Sequence, residues 1–194
     1  ESGAAILPLY ILDDSTPGRL RRGGASRWWL NGSLASLDKD LKSRGGSLCL
    51  RQGKAPEILA ALLEETGASA IHVTGGYEPW EPELEKAISQ VCHASGAEFR
   101  AFGGRLLFEP ETIVTGDGKS YRVFTPFWKA CLAADPPCTP LPQPKLLRFA
   151  DAKSDRLEAL KLLPTRPDWA EGLRDTWQPG EAHALARLGS FIED

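Results

Sequence analysis

The feature that most constrains this chain is an alternation that runs from Ala4 to Phe102. Apolar runs of strand length take turns with segments whose apolar residues recur every three or four positions. Ala4 to Leu12 is nearly continuous in apolar residues, as suits a strand buried on both faces of a parallel sheet. From Ala25 to Arg44, Leu30, Leu34, Leu37 and Leu41 mark one helix face, and Gly45-Gly46 ends it. Ser47 to Arg51 reads as a strand. Ala55 to Thr66 reads as a helix with Ile58, Leu59, Leu62 and Leu63 inward and Gly67 at its end. Ala70 to Thr74 is the next strand, Pro82 to Ser95 a helix carrying Leu84, Ile88 and Val91, and Ala97 to Phe102 a further strand. The pattern predicts an α/β fold: a Rossmann-like open parallel sheet, with strands near 5–12, 47–51, 70–74 and 97–102, flanked by helices and joined by right-handed crossovers. Leu30, Leu34, Leu37, Leu62, Leu84 and Ile88 are expected to be buried against the sheet.

After Ala134 the character changes. Pro136, Pro137, Pro140, Pro142 and Pro144 crowd a stretch that must be extended, neither helix nor central strand. Asp155 to Leu163 predicts a short helix, Pro164 to Gly180 a loop, and Glu181 to Ile192 a helix. Three parts follow: an α/β domain over 1–134, a linker over 135–180, and at 181–194 the opening helix of a further domain.

Composition narrows the function. With 194 residues, 42% of them apolar, the chain can bury a proper core. A net charge of −3 argues against a nucleic-acid binder working by its overall field. No apolar run approaches the length that crosses a bilayer. Cys49, Cys92, Cys131 and Cys138 form no C-x-x-C pair, and Cys49 and Cys92 fall in apolar segments as small buried hydrophobes. A reducing cytoplasm is the compartment this usage fits. Neither a G-x-G-x-x-G nor a G-x-x-x-x-G-K-S/T loop is present, so dinucleotide and phosphate-loop chemistry lack their fingerprints. His72, His93 and His183 lie in separate elements, and no Ser, His and Asp set has nucleophile-elbow spacing.

Ligands of open parallel sheets bind outside the C-terminal ends of the strands. Among those ends Thr74-Gly75-Gly76-Tyr77-Glu78-Pro79-Trp80-Glu81 is chemically the richest. Its glycines let backbone approach a ligand. Tyr77 and Trp80 offer flat faces for stacking, and Glu78 and Glu81 can accept hydrogen bonds from ring nitrogens. The plain alternative is a turn at Tyr77-Glu78 followed by an exposed Glu81 in a helix's first turn, where the dipole favours it. Asp13 to Gly24 is a second candidate loop, because Arg19, Arg21 and Arg22 can meet a phosphate or carboxylate, or simply be solvated.

Four segments in order carry a family resemblance. Val123-Phe124-Thr125-Pro126-Phe127, where Thr125 is expected to cap a helix with Pro126 in its first turn, resembles the "VFTPF" corner of the DNA photolyase and cryptochrome family. Leu9 to Asp13 is similar to that family's second strand, and Arg27-Trp28-Trp29-Leu30 to the helix after it. Pro179-Gly180-Glu181 with Ala184, Leu185, Leu188 and Phe191 resembles the opening of its flavin-binding domain.

The resemblance implies the N-terminal antenna domain of a class I photolyase for cyclobutane pyrimidine dimers. It implies a first strand ahead of this chain and a FAD-binding domain beyond it, so the final helix is expected to have an unburied apolar face. In that reading an antenna chromophore passes excitation to FAD for light-driven repair of damaged DNA, which the absent C-terminal domain would bind. The whole protein is expected to be a cytoplasmic lyase and monomer with no membrane partner, and this piece alone to be inactive. Folate-antenna members hold the pterin of methenyltetrahydrofolate with an Asn-Glu pair that falls on Trp80 and Glu81. Glu81 matches, while Trp80 replaces the Asn and exchanges a hydrogen bond for stacking. A deazaflavin or flavin antenna is the alternative, in a crevice that includes the Asp13 to Gly24 loop. The competing functions are a cryptochrome-type photoreceptor without repair and, from another class, a small nucleotide-binding α/β protein.

Overall fold

A computed structural model describes residues 3–137, 139–144 and 147–193. Its main elements are β1 (Leu9–Leu12), α1 (Gly24–Lys42), β2 (Cys49–Gln52), α2 (Ala55–Thr66), β3 (Ala70–Thr74), α3 (Glu81–Ala94), β4 (Glu98–Phe102), α4 (Phe124–Ala133), α5 (Glu171–Thr176) and α6 (Glu181–Glu193). All strand pairing within them is parallel, as the alternation predicts. Leu9 to Leu12 stand opposite Cys49 to Gln52, and Ala70 to Thr74 opposite Glu98 to Phe102.

The four strands form two pairs, β1–β2 and β3–β4, and among the described residues no ladder joins β1 to β3. Both pairs nevertheless rest on one helical layer. Leu9 and Ile11 of β1, Ile71 of β3 and Phe99 of β4 pack against a cluster of Leu59 and Leu63 from α2 with Ile88 and Cys92 from α3. The other face of β1 serves a second cluster. Tyr10 and Leu12 meet Leu34 of α1, Leu48, Leu50, Leu160 and Leu162. Successive strand residues point to opposite faces, so an all-apolar β1 feeds two cores at once. Cys49, Cys92 and Cys131 are buried and unbridged, whereas Cys138 lies outside the described residues.

Four local expectations need correction, and the first is that the stretch expected as a loop over 164–180 contains α5, Glu171–Thr176. The Ala4 to Leu12 run is not one strand. Pro8 has no N–H to give a ladder, and ahead of it Ile6 bridges to Phe149, its N–H donating to the Arg148 carbonyl at 2.9 Å. Leu37 is 46% exposed, although Leu34 is buried and Leu30 and Leu41 pack on the core. At about 100° per residue Leu37 falls roughly 60° from Leu34, on the side away from Asp38. Asp38 faces the sheet and accepts the Leu48 N–H at 2.9 Å, which turns Leu37 to the rim. Thr125 caps nothing. α4 begins two residues earlier than expected, with Val123 in extended conformation at its N-cap, so Thr125 and Pro126 lie inside the first turn.

The described residues of the Pro-rich segment form neither helix nor strand, and the chain that follows it is stitched down beyond Arg148. Asp155 N–H donates to the Leu50 carbonyl at 2.8 Å, and Leu50 N–H donates to Ser154 Oγ at 2.9 Å. These bonds occupy the outer edge of β2 and carry Leu160 and Leu162 into the core. α6 starts against α1, where a Cβ on Gly32 would meet the Pro179 ring at 2.8 Å. Leu185, Leu188, Phe191 and Ile192 of α6 are exposed, as expected of that helix.

Candidate functional site

The C-terminal ends of β3 and β4 open side by side. Gly75 N–H donates to the Phe102 carbonyl at 2.8 Å, which fixes the two exits together. From there the chain turns through Gly76, Tyr77 and Glu78 into α3. Trp80 sits at its N-cap, half-buried, and Glu81 is its first residue. Glu81 is turned back over the loop. Its Oε2 accepts the Glu78 N–H at 2.8 Å, and its Oε1 pairs with an Arg105 guanidinium nitrogen at 3.0 Å. The carboxylate lies so close to Gly76 that a Cβ there would meet Oε2 at 1.8 Å, so a side chain at this position would push Glu81 from its place. One turn further along α3, Glu85 Oε1 accepts the Gly76 N–H at 3.2 Å.

The opposite wall comes from the segment after β4. Arg105 reaches Glu81, and Glu109 accepts the Tyr77 hydroxyl. That hydrogen bond to a carboxylate, followed by burial, pushes the Tyr77 phenol up to about 12. Of the residues the sequence singles out, Tyr77, Trp80 and Glu81 all stand at these joined strand exits. Arg105, Glu85 and Glu109 were not singled out: Glu109 reads as a loop acid, and nothing local marks Arg105. Glu85 carried a usable signal, since a spacing of four puts it on the helix face of Glu81.

The loop after β1 is organised by Asp13. Its carboxylate accepts the Ser15 N–H at 2.9 Å, the Thr16 N–H at 3.0 Å, both hydroxyls of those residues, and the Ala55 N–H at 3.1 Å. The last bond ties β1 to the first turn of α2, where a negative charge also suits the helix dipole. Burial alone would raise the Asp13 carboxyl, and the hydrogen bonds overcome it to hold the group well below the usual carboxylate range. Because the folded value is depressed, the stability Asp13 contributes is full above about pH 4 and is lost as pH falls below it. Urea midpoints measured between pH 6 and pH 3 are expected to fall, and Asp13→Asn is expected to flatten that acid limb. An unchanged limb would show that the contacts add nothing.

Arg19, Arg21 and Arg22 are all exposed, and Arg27 is committed to Asp14. Beside them a cleft of about 450 Å³ is lined by Arg22, Ser26, Trp29 and Ser33 among others. Trp28 is buried. Trp29 meets the Trp177 ring edge-on at 5.9 Å, over which Arg187 sits 4.7 Å from the centroid. The described residues include no group of three or more His, Cys, Asp or Glu arranged to hold a metal ion. Among them no helix is long and apolar enough to cross a membrane.

With this geometry in view, comparison with known proteins is decisive. The family model described as DNA photolyase matches residues 1–145. The chain belongs to the DNA photolyase family. A deoxyribodipyrimidine photo-lyase of Agrobacterium fabrum is 43% identical across the whole of this photolyase-family chain, which spans 40% of that protein. Cryptochrome-1 of Arabidopsis thaliana is 30% identical over 96% of the chain and 28% of its own length. Among solved structures, a bacterial class III photolyase from Agrobacterium tumefaciens superposes with a TM-score of 0.89 at 41% identity. That match covers 98% of this chain and 39% of the other. The α/β architecture is thus that of the photolyase N-terminal domain. The chain spans about two fifths of the photolyases it matches.

Proposed function

We propose that this photolyase chain is the light-harvesting α/β portion of a deoxyribodipyrimidine photo-lyase, holding an antenna chromophore that passes excitation to FAD bound elsewhere in the whole protein. The observation that carries the reading is the Glu81 site at the joined exits of β3 and β4. A carboxylate there, on a glycine floor and next to Tyr77 and Trp80, suits a flat heterocycle with N–H donors on one edge. The pterin of methenyltetrahydrofolate has such an edge. When bound, the dye supplies absorption in the near ultraviolet. The protein's part is to hold and orient it: Glu81 as acceptor, Trp80 and Tyr77 as stacking surfaces worth about 0.5–1.5 kcal/mol each. The exposed arginines after β1 are the alternative seat, for a flavin or deazaflavin.

Identity of 43% to a photo-lyase favours repair over signalling, and class III, described for the Agrobacterium structure, is better supported than class I. Among the described residues β1 and β3 each have one edge without a ladder, which supports a further parallel strand joining the two pairs in the whole protein. The bare apolar face of α6 supports a helical domain beside it. Damaged DNA as partner, a monomeric state and a cytoplasmic setting complete the reading. A cryptochrome-type receptor is the second reading, carried by the 30% identity to Cryptochrome-1.

The test is an absorption spectrum of the purified full-length protein, then a light-driven dimer-repair assay. Flavin bands with a separate near-ultraviolet antenna band, and repair under that light, are expected. Flavin bands without repair would favour the cryptochrome reading, and absence of flavin would overturn both.

A further inference from the structure

We propose that Arg105 is a latch on Glu81, and that residues 103–109 form a strap that must swing outward before a ligand reaches the carboxylate. The inference deepens the reading of the Glu81 site and rests on it. Both Glu81 oxygens are occupied. Oε2 is committed inward to the Glu78 N–H, and Oε1 is capped from outside by Arg105. The side chain of Glu81 is 17% exposed and that of Arg105 50%, so the guanidinium is the lid over the carboxylate and itself faces water. A ligand that donates to Glu81 must take Oε1 from Arg105.

The strap is built to release. Leu106 and Leu107 are 47% and 76% exposed and, of the apolar side chains, only Phe108 is partly buried, so apolar burial holds the segment weakly. Two polar fastenings add to it, Arg105 to Glu81 and Glu109 to Tyr77. The Arg105 end of the ion pair and the Tyr77–Glu109 hydrogen bond both lie at the surface, where polar contacts compete with water, so the open form lies within thermal reach. At the root of the strap Gly104 has φ +139°, a conformation other residues rarely adopt, and a Cβ on Gly103 would meet Glu109 Oε1 at 2.1 Å. Two adjacent glycines there supply a hinge.

The latch also sets specificity. Arg105 gives Oε1 a charged N–H donor, so a ligand edge that presents donors and no acceptor to the carboxylate replaces what is lost. An amino-pyrimidine edge of the pterin kind does so. A flavin edge, with one N–H between two carbonyls, does so poorly and brings acceptors against the carboxylate.

The experiment uses the full-length protein. Methenyltetrahydrofolate is titrated into wild type, Arg105→Ala and the double variant Arg105→Ala with Glu81→Ala. Arg105→Ala is expected to bind about two- to fivefold more tightly, the scale of one exposed ion pair. The double variant is expected to lose that gain. Equal or weaker binding by Arg105→Ala overturns the latch. Amide hydrogen exchange without ligand is read in parallel. Arg105→Ala and Tyr77→Phe are each expected to speed exchange in residues 103–109 several-fold while leaving α2 unchanged. Unaltered exchange overturns the strap. Accelerated exchange in a protein whose wild type binds no folate overturns the reading of the site and leaves the strap standing.

Discussion

Replacing Leu160 with Ala is expected to lower the stability of the fold by about 2–5 kcal/mol, the range for truncating a fully buried leucine. Leu160 is 2% exposed and packs with Leu12, Leu34, Leu48, Leu50 and Leu162. It stands on a single 3-10 turn, Leu157–Leu160, that ends at Lys161 in the left-handed region with φ 49°. The surrounding chain has little freedom to collapse into the space left. Upstream it is fixed by Ser154 and Asp155 to Leu50, and downstream by the turn and Leu162. A cavity that cannot close puts the cost in the upper part of the range. A urea titration followed by tryptophan fluorescence measures it, and Leu37→Ala on the exposed rim of α1 is the control, with an expected change within about 0.5 kcal/mol. If Leu160→Ala behaves like the control, the segment over 148–162 is not part of this core.

That result bears on what the sequence made legible. Helix and strand periods were plain from Leu9 to Phe102, because each element buries one face or two and the residues say which. The docking of 148–162 was not. Nothing in the residues of that stretch marks what it lies against, because the seam is made by backbone groups of Leu50 and Asp155 and a serine hydroxyl. The division of the strands into two pairs was hidden for a similar reason. Apolar runs announce buried strands, whereas the neighbour of each edge is a matter of topology, so β1 and β3 read alike whether they pair or face a gap.

The site divided the same way. Gly75-Gly76-Tyr77 and Glu81 could be singled out as candidates because ligands of parallel sheets bind outside strand exits. Arg105 and Glu109 come from another loop, and their pairing with Glu81 and Tyr77 leaves no trace in local spacing. The consequence is chemical: a carboxylate that looks free in the sequence is already paired in the fold.

The pairing changes the size of the effect expected from Glu81→Ala on folate binding. A hydrogen bond to a charged acceptor contributes about 1.5–3 kcal/mol, which taken alone predicts a loss of tenfold to a hundredfold. Wild-type protein, however, must first give up the Arg105 contact to Oε1, worth about 0.2–1 kcal/mol at this exposure. The alanine variant is spared that cost, so the net loss is expected near the lower end, about tenfold. Glu81→Gln keeps an acceptor for the Glu78 N–H but removes the charge that favours both Arg105 and ligand donors. It should lose less than alanine while weakening the latch. Titrating methenyltetrahydrofolate into the three full-length proteins and following the near-ultraviolet band orders them wild type, Gln, Ala. Equal affinities would show that Glu81 holds only Arg105 and its own loop. Tight binding of a flavin or deazaflavin by a wild type that ignores folate would move the antenna to the arginine loop after β1.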